Sequence, residues 1–279
     1  MAIRSSLRSP LALLLSFAAA AGIAQSPPIH GLAHVANRVK DVAASRSFYQ
    51  KLGYEEAFAF DKDGVITQSF LKVNDRQFIE LYPAAAPENA AKQPLGFLHL
   101  CFDGDDIQAL HDYDAVQGLK PDAVRKADAG NLLFTAAGPD EGPAKQNIEY
   151  TQYMPGSRHY DDRGKHLGAD RISTKFFAVA LGMSYLAEAR LFYITTLGFA
   201  PVPKQSELLS IPGSAGQQIL LMDAALKRDG TLYFSVSNLK LTAAELKKRG
   251  IAFIPQKAAL TVADPDGNLL IFTTDSNAR

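Results

Sequence analysis

Two histidines and two glutamates stand at matching intervals in the first half of this 279-residue chain. His34, in GLAHVANRV, is followed 46 residues later by Glu80, in FIELYP; His99, in FLHLCF, is followed 50 residues later by Glu149, in NIEYTQY. Two imidazoles and two carboxylates make a mixed nitrogen–oxygen donor set. It suits one divalent metal ion, Zn, Ni, Fe, Mn or Co, better than a soft thiolate-loving ion. An octahedral ion held by four side chains keeps two positions for water or for two substrate oxygens. Taken singly, each residue is as well explained by an exposed strand glutamate or a hydrogen-bonded histidine. The shared register of all four is what points to a site.

All four segments read as strands, so a period of two decides which way each side chain points. Ala33 and Val35 flank His34, Ile79 and Leu81 flank Glu80, Leu98 and Leu100 flank His99, and Ile148 and Tyr150 flank Glu149. Each strand then turns an apolar face to a helix layer and a ligand-type residue to the other side. Arg38 shares the His34 face, Tyr82 the Glu80 face and Cys101 the His99 face. Arg38 is read as the holder of an anionic substrate group or as half of an ion pair, and Tyr82 as a pocket wall. Cys101 is read as a small buried hydrophobe.

The elements that must position these residues recur along the chain. Phe48-Tyr49 and Leu52-Gly53-Tyr54 return as Phe192-Tyr193 and Leu197-Gly198-Phe199. Each copy follows a strand candidate (Leu32–Val39; Phe176–Leu181) and a helix candidate (Val42–Lys51; Tyr185–Thr196). Phe97–Phe102 followed by the helix-like Asp105–Gln117 and Gly118 is matched by Leu232–Val236, Thr242–Arg249 and Gly250. Asn74-Asp75 separates two β-rich runs as a hairpin turn does. These repeats predict an α+β fold of four βαβββ modules, paired into halves at 27–155 and 172–279. Residues 156–171 form a linker or lid, dense in titratable groups. It is expected to be either a solvated connector or a cover carrying an acid or base such as His159, Tyr160 or His166. His30 and His111 read as surface residues and Asp105-Asp106 as a helix cap.

Composition narrows the function further. With 29 basic and 29 acidic side chains the net charge is zero, which argues against nucleic acid or a polybasic membrane-surface role. The single cysteine rules out an intrachain disulfide, a cysteine zinc cluster and an iron–sulfur site. Residues 1–24 read as a cleavable signal peptide: Arg4 and Arg8, an apolar run from Leu11 to Ala21, then small residues before a cut ahead of Gln25. Loss of the two arginines leaves 27 basic and 29 acidic side chains, a net charge of −2. The mature protein is expected in the periplasm or secreted, with no membrane segment after cleavage. A monomer and a self-paired homodimer are both compatible with the repeats.

HVANRVKD and FYQKLGY within 34–54, FIELYP, FLHLCFDGDDIQAL, NIEY and the later DPDGNLLIF at 264–272 together resemble the vicinal oxygen chelate superfamily. That superfamily includes glyoxalase I, fosfomycin-resistance proteins and extradiol dioxygenases. The resemblance spans residues 29–277 and implies paired βαβββ modules whose curled mixed sheets surround a divalent metal. It places His34, Glu80, His99 and Glu149 at the glyoxalase-type ligand positions. It also implies that Glu149 or Glu80 acts as the base that takes a proton from carbon beside two metal-held oxygens. Lyase or isomerase chemistry on a small-molecule substrate is therefore expected. A ring-cleaving Fe(II) dioxygenase using His34, His99 and Glu149 and a non-catalytic binding protein are the alternatives.

Three departures stand out. In the second half Ala178 or Phe177 replaces His34, Leu220 or Leu221 replaces Glu80, Tyr233 replaces His99 and Ile271 replaces Glu149, so that half is expected to bind no metal. Extradiol enzymes with four modules usually hold the metal in the second half and lack a fourth carboxylate, so Glu80 counts against that branch. The family's DPDG turn before Glu149 is replaced by Gly138-Pro139-Asp140-Glu141-Gly142-Pro143-Ala144, and an export signal fits poorly with a cytosolic glutathione-derived substrate.

Overall fold

The computed structural model of the protein describes residues 27–139 and 147–274. The leader at 1–24 lies outside them, as does the part of the remodelled turn from Asp140 to Ala144. Among the described residues no helix is long and apolar enough to cross a membrane.

Four units follow one another. The first runs β1 (Gly31–Val39), α1 (Val42–Lys51), β2 (Glu56–Lys62), β3 (Val65–Lys72) and β4 (Phe78–Pro83); the second β5 (Gly96–Asp103), α2 (Ile107–Val116), β6 (Arg125–Lys126), β7 (Leu132–Ala137) and β8 (Asn147–Gln152). A one-turn helix, α3 (Arg158–Asp161), lies between the halves. The third unit is β9 (Phe176–Met183), α4 (Leu186–Thr195), β10 (Ala200–Val202), β11 (Gln205–Ser210) and β12 (Gln218–Asp223). The fourth is β13 (Leu232–Ser235), α5 (Leu239–Lys248), β14 (Ile254–Pro255), β15 (Ala259–Ala263) and β16 (Leu269–Thr273). Side chains explain where the helices start: Asp41, Asp106 and Asn238 sit in extended backbone and accept from the amides of Ala44, Ala109 and Leu241.

Each half is one eight-stranded mixed sheet, ordered β2-β3-β4-β1-β5-β8-β7-β6 and β10-β11-β12-β9-β13-β16-β15-β14. The first and last strands of each unit pair in parallel, and β1 joins its unit to the next by pairing antiparallel with β5, as β9 does with β13. Neither sheet is closed. The expected α+β architecture of four βαβββ modules is therefore the observed one.

The helix-bearing faces of both sheets share a single core, in which Val35, Ile79, Leu100 and Ile148 meet Val179, Ile219, Leu232 and Leu270. Tyr54 stacks on Phe234 at 5.7 Å across the halves, and the Gln77 amide donates to and accepts from the backbone of Phe176. The two remaining sheet faces look away from this core, and they differ. One carries His34, Glu80, His99 and Glu149; the other is apolar, with Phe177, Ala178, Ala180, Leu208, Tyr233 and Ile271.

Strict alternation fails at one residue beside the site. Ala33 has no partner on β5 between the pairs Leu32–Phe102 and His34–Cys101, and it packs with Phe70, Phe78 and Cys101 on the site side. The extra residue of a bulge turns two successive side chains the same way. Phe177 is skipped by β13 in the same manner, so the bulge recurs in the second half. The register also corrects one counterpart. Ala36 pairs with Glu80 and His99, whereas Ala180 pairs with Leu220 and its amide bonds to the Thr231 carbonyl. The residue in the place of His99 is thus Thr231; Tyr233 matches Cys101, and Ala178, Leu220 and Ile271 match His34, Glu80 and Glu149.

The linker is anchored to the first half, with Ser157, His159, Asp162 and Gly168 buried and much of the rest exposed. It is seated at both ends on glycines: a Cβ on Gly53 would lie 2.7 Å from the Asp170 carbonyl oxygen, and one on Gly130 3.1 Å from that of Gly156. Both glycines have positive φ, +87° in each case, so close approach and backbone sign both require glycine. Lys72, wholly buried, pins the segment through the Asp162 carboxylate at 2.8 Å and also meets Asp75 at 2.9 Å.

Candidate metal centre

β4, β1, β5 and β8 are four consecutive strands of the first sheet, and each contributes one ligand-type side chain to a single concave surface. Cys101 sits between His34 and Glu149 in cross-strand register, which brings β1 and β8 functional groups together over β5. His34 Nε2 lies 3.2 Å from His99 Nε2 and 3.2 Å from Glu149 Oε1, and His99 Nε2 lies 3.8 Å from the same oxygen. Metal–ligand bonds of ~2.0–2.2 Å place neighbouring donor atoms roughly 3 Å apart, so this spacing is that of atoms able to share one ion. Glu80 approaches from the other side of the His34 ring, with Oε1 3.3 Å from Nδ1. One donor atom each from His34, Glu80 and His99 falls within 4.8 Å of the others, as does one each from His34, Cys101 and Glu149.

The surrounding groups fix these donors. Tyr153 Oη also lies 3.1 Å from His34 Nδ1, so an Nδ1–H given to Tyr153 or Glu80 leaves the Nε2 lone pair facing His99 and Glu149. Gln68 donates to Glu80 Oε2 at 3.0 Å, and the Tyr82 hydroxyl donates to the same oxygen at 3.3 Å. Sequence reading did not single out Gln68 or Tyr153, although Tyr153 shares the Glu149 face by the period of two.

Burial and mutual charge set the protonation states. Burial pulls the His34 imidazole down, but Glu80 and Glu149 outweigh it and its pKa is raised. Burial raises Glu80, the charge of Glu149 adds to the rise, and His34 opposes it; the net shift is upward. For Glu149 burial also raises, yet the hydrogen bond from His34 and the charge of His99 hold the carboxylate at about 2. Burial brings His99 down to about 4, against the pull of Glu149. A neutral imidazole and an ionised carboxylate are the forms that ligate metals. Two buried carboxylates and two imidazole nitrogens at 3.2 Å repel one another unless a proton or a cation lies between them. The donor set therefore fits a divalent ion.

A cavity of about 180 Å³ opens beside the cluster, lined by His34, Glu80, Glu149, Tyr82, Gln68 and His159 among others. On the other side of Glu149, a hollow of about 350 Å³ is lined by Leu98, His99, Thr135 and Asn147. Arg38 does not line either; its guanidinium donates to the Pro83 carbonyl at 2.9 Å. Arg125 lines the smaller cavity. Cys101 is fully buried, and burial raises its thiol well above the usual value, in keeping with a small hydrophobe. Asp106 caps α2, His30 is exposed, and His111 is half-buried.

Residues 31–150, which carry all four ligand-type residues, match the model of the Glyoxalase/Bleomycin resistance protein/Dioxygenase superfamily. They are a vicinal oxygen chelate domain. The second half, with the same strand order, repeats the vicinal oxygen chelate architecture without the four ligand-type residues. Among solved structures, the Mn(II)-bound glyoxalase of Novosphingobium aromaticivorans is 16% identical, with a TM-score of 0.64 over 88% of this chain and 82% of that one. The 2,3-dioxygenase LapB of Pseudomonas sp. KL28 is 14% identical, with a TM-score of 0.61 over 89% of this chain and 93% of that one. An extradiol ring-cleaving dioxygenase of B. fuscum is 16% identical, with a TM-score of 0.60 over 91% and 74%. At these identities the likeness is one of fold. No curated protein matches the chain in sequence.

Proposed function

We propose that the protein is an exported, metal-dependent lyase or isomerase that moves a proton on a small substrate bearing two adjacent oxygens. The observation that carries this reading is Glu80. His34, His99 and Glu149 already supply two imidazoles and a carboxylate around one point. A second buried carboxylate beside them, oriented on one oxygen by Gln68 and Tyr82, is what a proton-transfer site needs. His34, Glu80, His99 and Glu149 hold the ion, and Glu80, with its raised pKa, is the better base of the two carboxylates. A bound divalent ion supplies positive charge at the two substrate oxygens and so acidifies the C–H beside them. Tyr82 walls the same cavity, which at about 180 Å³ lies below the ~300–1,000 Å³ of drug-sized pockets and suits a small substrate. The leader-like residues 1–24 support export.

Hydroxyacetone in D2O tests the reading directly. The Mn(II)-loaded protein is expected to place deuterium on the carbon bearing the hydroxyl, and Glu80→Gln to slow exchange by ~10²–10⁴. Absence of exchange with the loaded wild type contradicts it. A second reading, ring cleavage by an Fe(II) dioxygenase, is favoured by the compact His34–His99–Glu149 grouping and by the dioxygenases of like fold. Oxygen uptake with catechol by the Fe(II)-loaded protein, unaffected by Glu80→Gln, would select it.

A further inference from the structure

His159 is a buried imidazole that the metal cluster does not use. It is 2% exposed, lines the same cavity as His34, Glu80 and Glu149, and neither ring nitrogen has a hydrogen-bond partner among the described residues. Its ring stacks on Tyr153 at 4.2 Å and meets Phe58, Phe70 and Phe78 edge-on at 4.8–5.1 Å. An aromatic cage of this kind is filled as well by phenylalanine, which would leave no buried polar atom unmatched. Burial lowers the imidazole pKa well below the usual value, so the ring is neutral and offers one donor and one acceptor.

The ring is also held firmly. Ser157 caps α3 by accepting from the Tyr160 amide, and the Arg158 amide donates to the Ala129 carbonyl at 2.7 Å. The Arg158 guanidinium lies 4.6 Å from the centre of the Phe60 ring, and Lys72 pins Asp162 just beyond. Asn131 lines the same cavity; its amide nitrogen is tied to Thr151 at 2.7 Å, while its Oδ1 has no partner among the described residues. Two unmatched polar groups therefore share a cavity with His34, Glu80 and Glu149, one of them carried by the linker.

Resting on the metal-centre reading above, we propose that His159 is a substrate-contacting residue that hydrogen-bonds a polar group of the substrate beyond its two metal-held oxygens, with Asn131 as its neighbour in that task. The linker then supplies specificity to a site whose chemistry comes from the sheet, and the substrate class narrows. It is a compact molecule with a hydroxyl or similar group next to its chelating oxygens.

Acetohydroxamate and glycolohydroxamate probe this, since both chelate through the same two oxygens and differ by one hydroxyl. Calorimetric titration of the Mn(II)-loaded protein is expected to show glycolohydroxamate bound ~5–10-fold more tightly by the wild type. His159→Phe should abolish that preference while leaving acetohydroxamate affinity and metal content unchanged, and His159→Gln should restore part of it. The thermal midpoint of His159→Phe is expected at or above that of the wild type. A preference equal in wild type and His159→Phe, no preference in the wild type, or a midpoint lowered by more than ~5 °C in His159→Phe would overturn the proposal while leaving the metal centre standing. Failure of both hydroxamates to bind the loaded wild type would remove the metal reading and this proposal together.

Discussion

The two outward sheet faces of this molecule share strand order, bulge position and core, yet one concentrates charge and the other excludes it. Where the first half has His34, Glu80, His99 and Glu149, the second has Ala178, Leu220, Thr231 and Ile271. The contrast extends to the helix layer. Asp114, buried at the eighth position of α2, corresponds to Leu246 at the eighth position of α5. At these positions the second half shows a largely apolar solution on the same scaffold. His34, Glu80, Glu149 and Asp114 thus depart from an apolar solution that the same fold accepts at the matching positions, and each calls for a partner or a use.

Exchanging residues between the halves sharpens this contrast. The largest effect is expected for Leu220→Glu, which places a carboxylate against the apolar cluster of Phe177, Ala178, Leu208 and Tyr233. It should cost ~4 kcal/mol or more in urea unfolding, or force the carboxyl to stay protonated. Ile271→Ala comes next, with a loss of ~2–4 kcal/mol from the cavity left and no change in metal content. A metal loss on Ile271→Ala would break the assignment of the metal to one half.

A smaller effect is expected from Asp114. Burial pushes its carboxyl up to about 7, only partly offset by the hydrogen bond from Tyr150. The unfolded chain releases that proton near 3.9, so between pH ~4 and 7 it has lost the proton that the folded state keeps. Stability therefore falls as pH rises through this window, by up to ~1.4 kcal/mol per pH unit from this group. Asp114→Asn should flatten that slope, measured as chemical unfolding between pH 4 and 7; an unchanged slope would contradict it. The smallest stability effect belongs to Glu80→Leu. Its removal of one of two like charges should leave stability within ~1 kcal/mol of wild type while the proton-exchange activity disappears.

The four-unit fold was legible because each unit carries the same punctuation: a helix of ten residues, a glycine at positive φ, then strands, with an Asx cap before the helix in three of the four. The convergence of the two histidines and two glutamates followed from the period of two within strands. Two things were not legible. Bulges at Ala33 and Phe177 break that period, which is why Ala33 joins the site side; and β13 begins only at Leu232, so the place of His99 falls to Thr231, just before the strand. The linker has no periodicity to read. Its anchoring depends on Lys72 finding Asp162 and on Arg158 lying over Phe58 and Phe60, contacts between residues 90 or more positions apart.

The central claim is that one face of one half holds a single divalent ion. Metal analysis after loading the apo-protein with Mn(II) tests it most directly, on wild type beside His34→Ala and Glu149→Ala. One ion per chain in the wild type and an affinity at least ~10²-fold weaker in both variants is the expected result. Equal stoichiometric metal in all three proteins would contradict it.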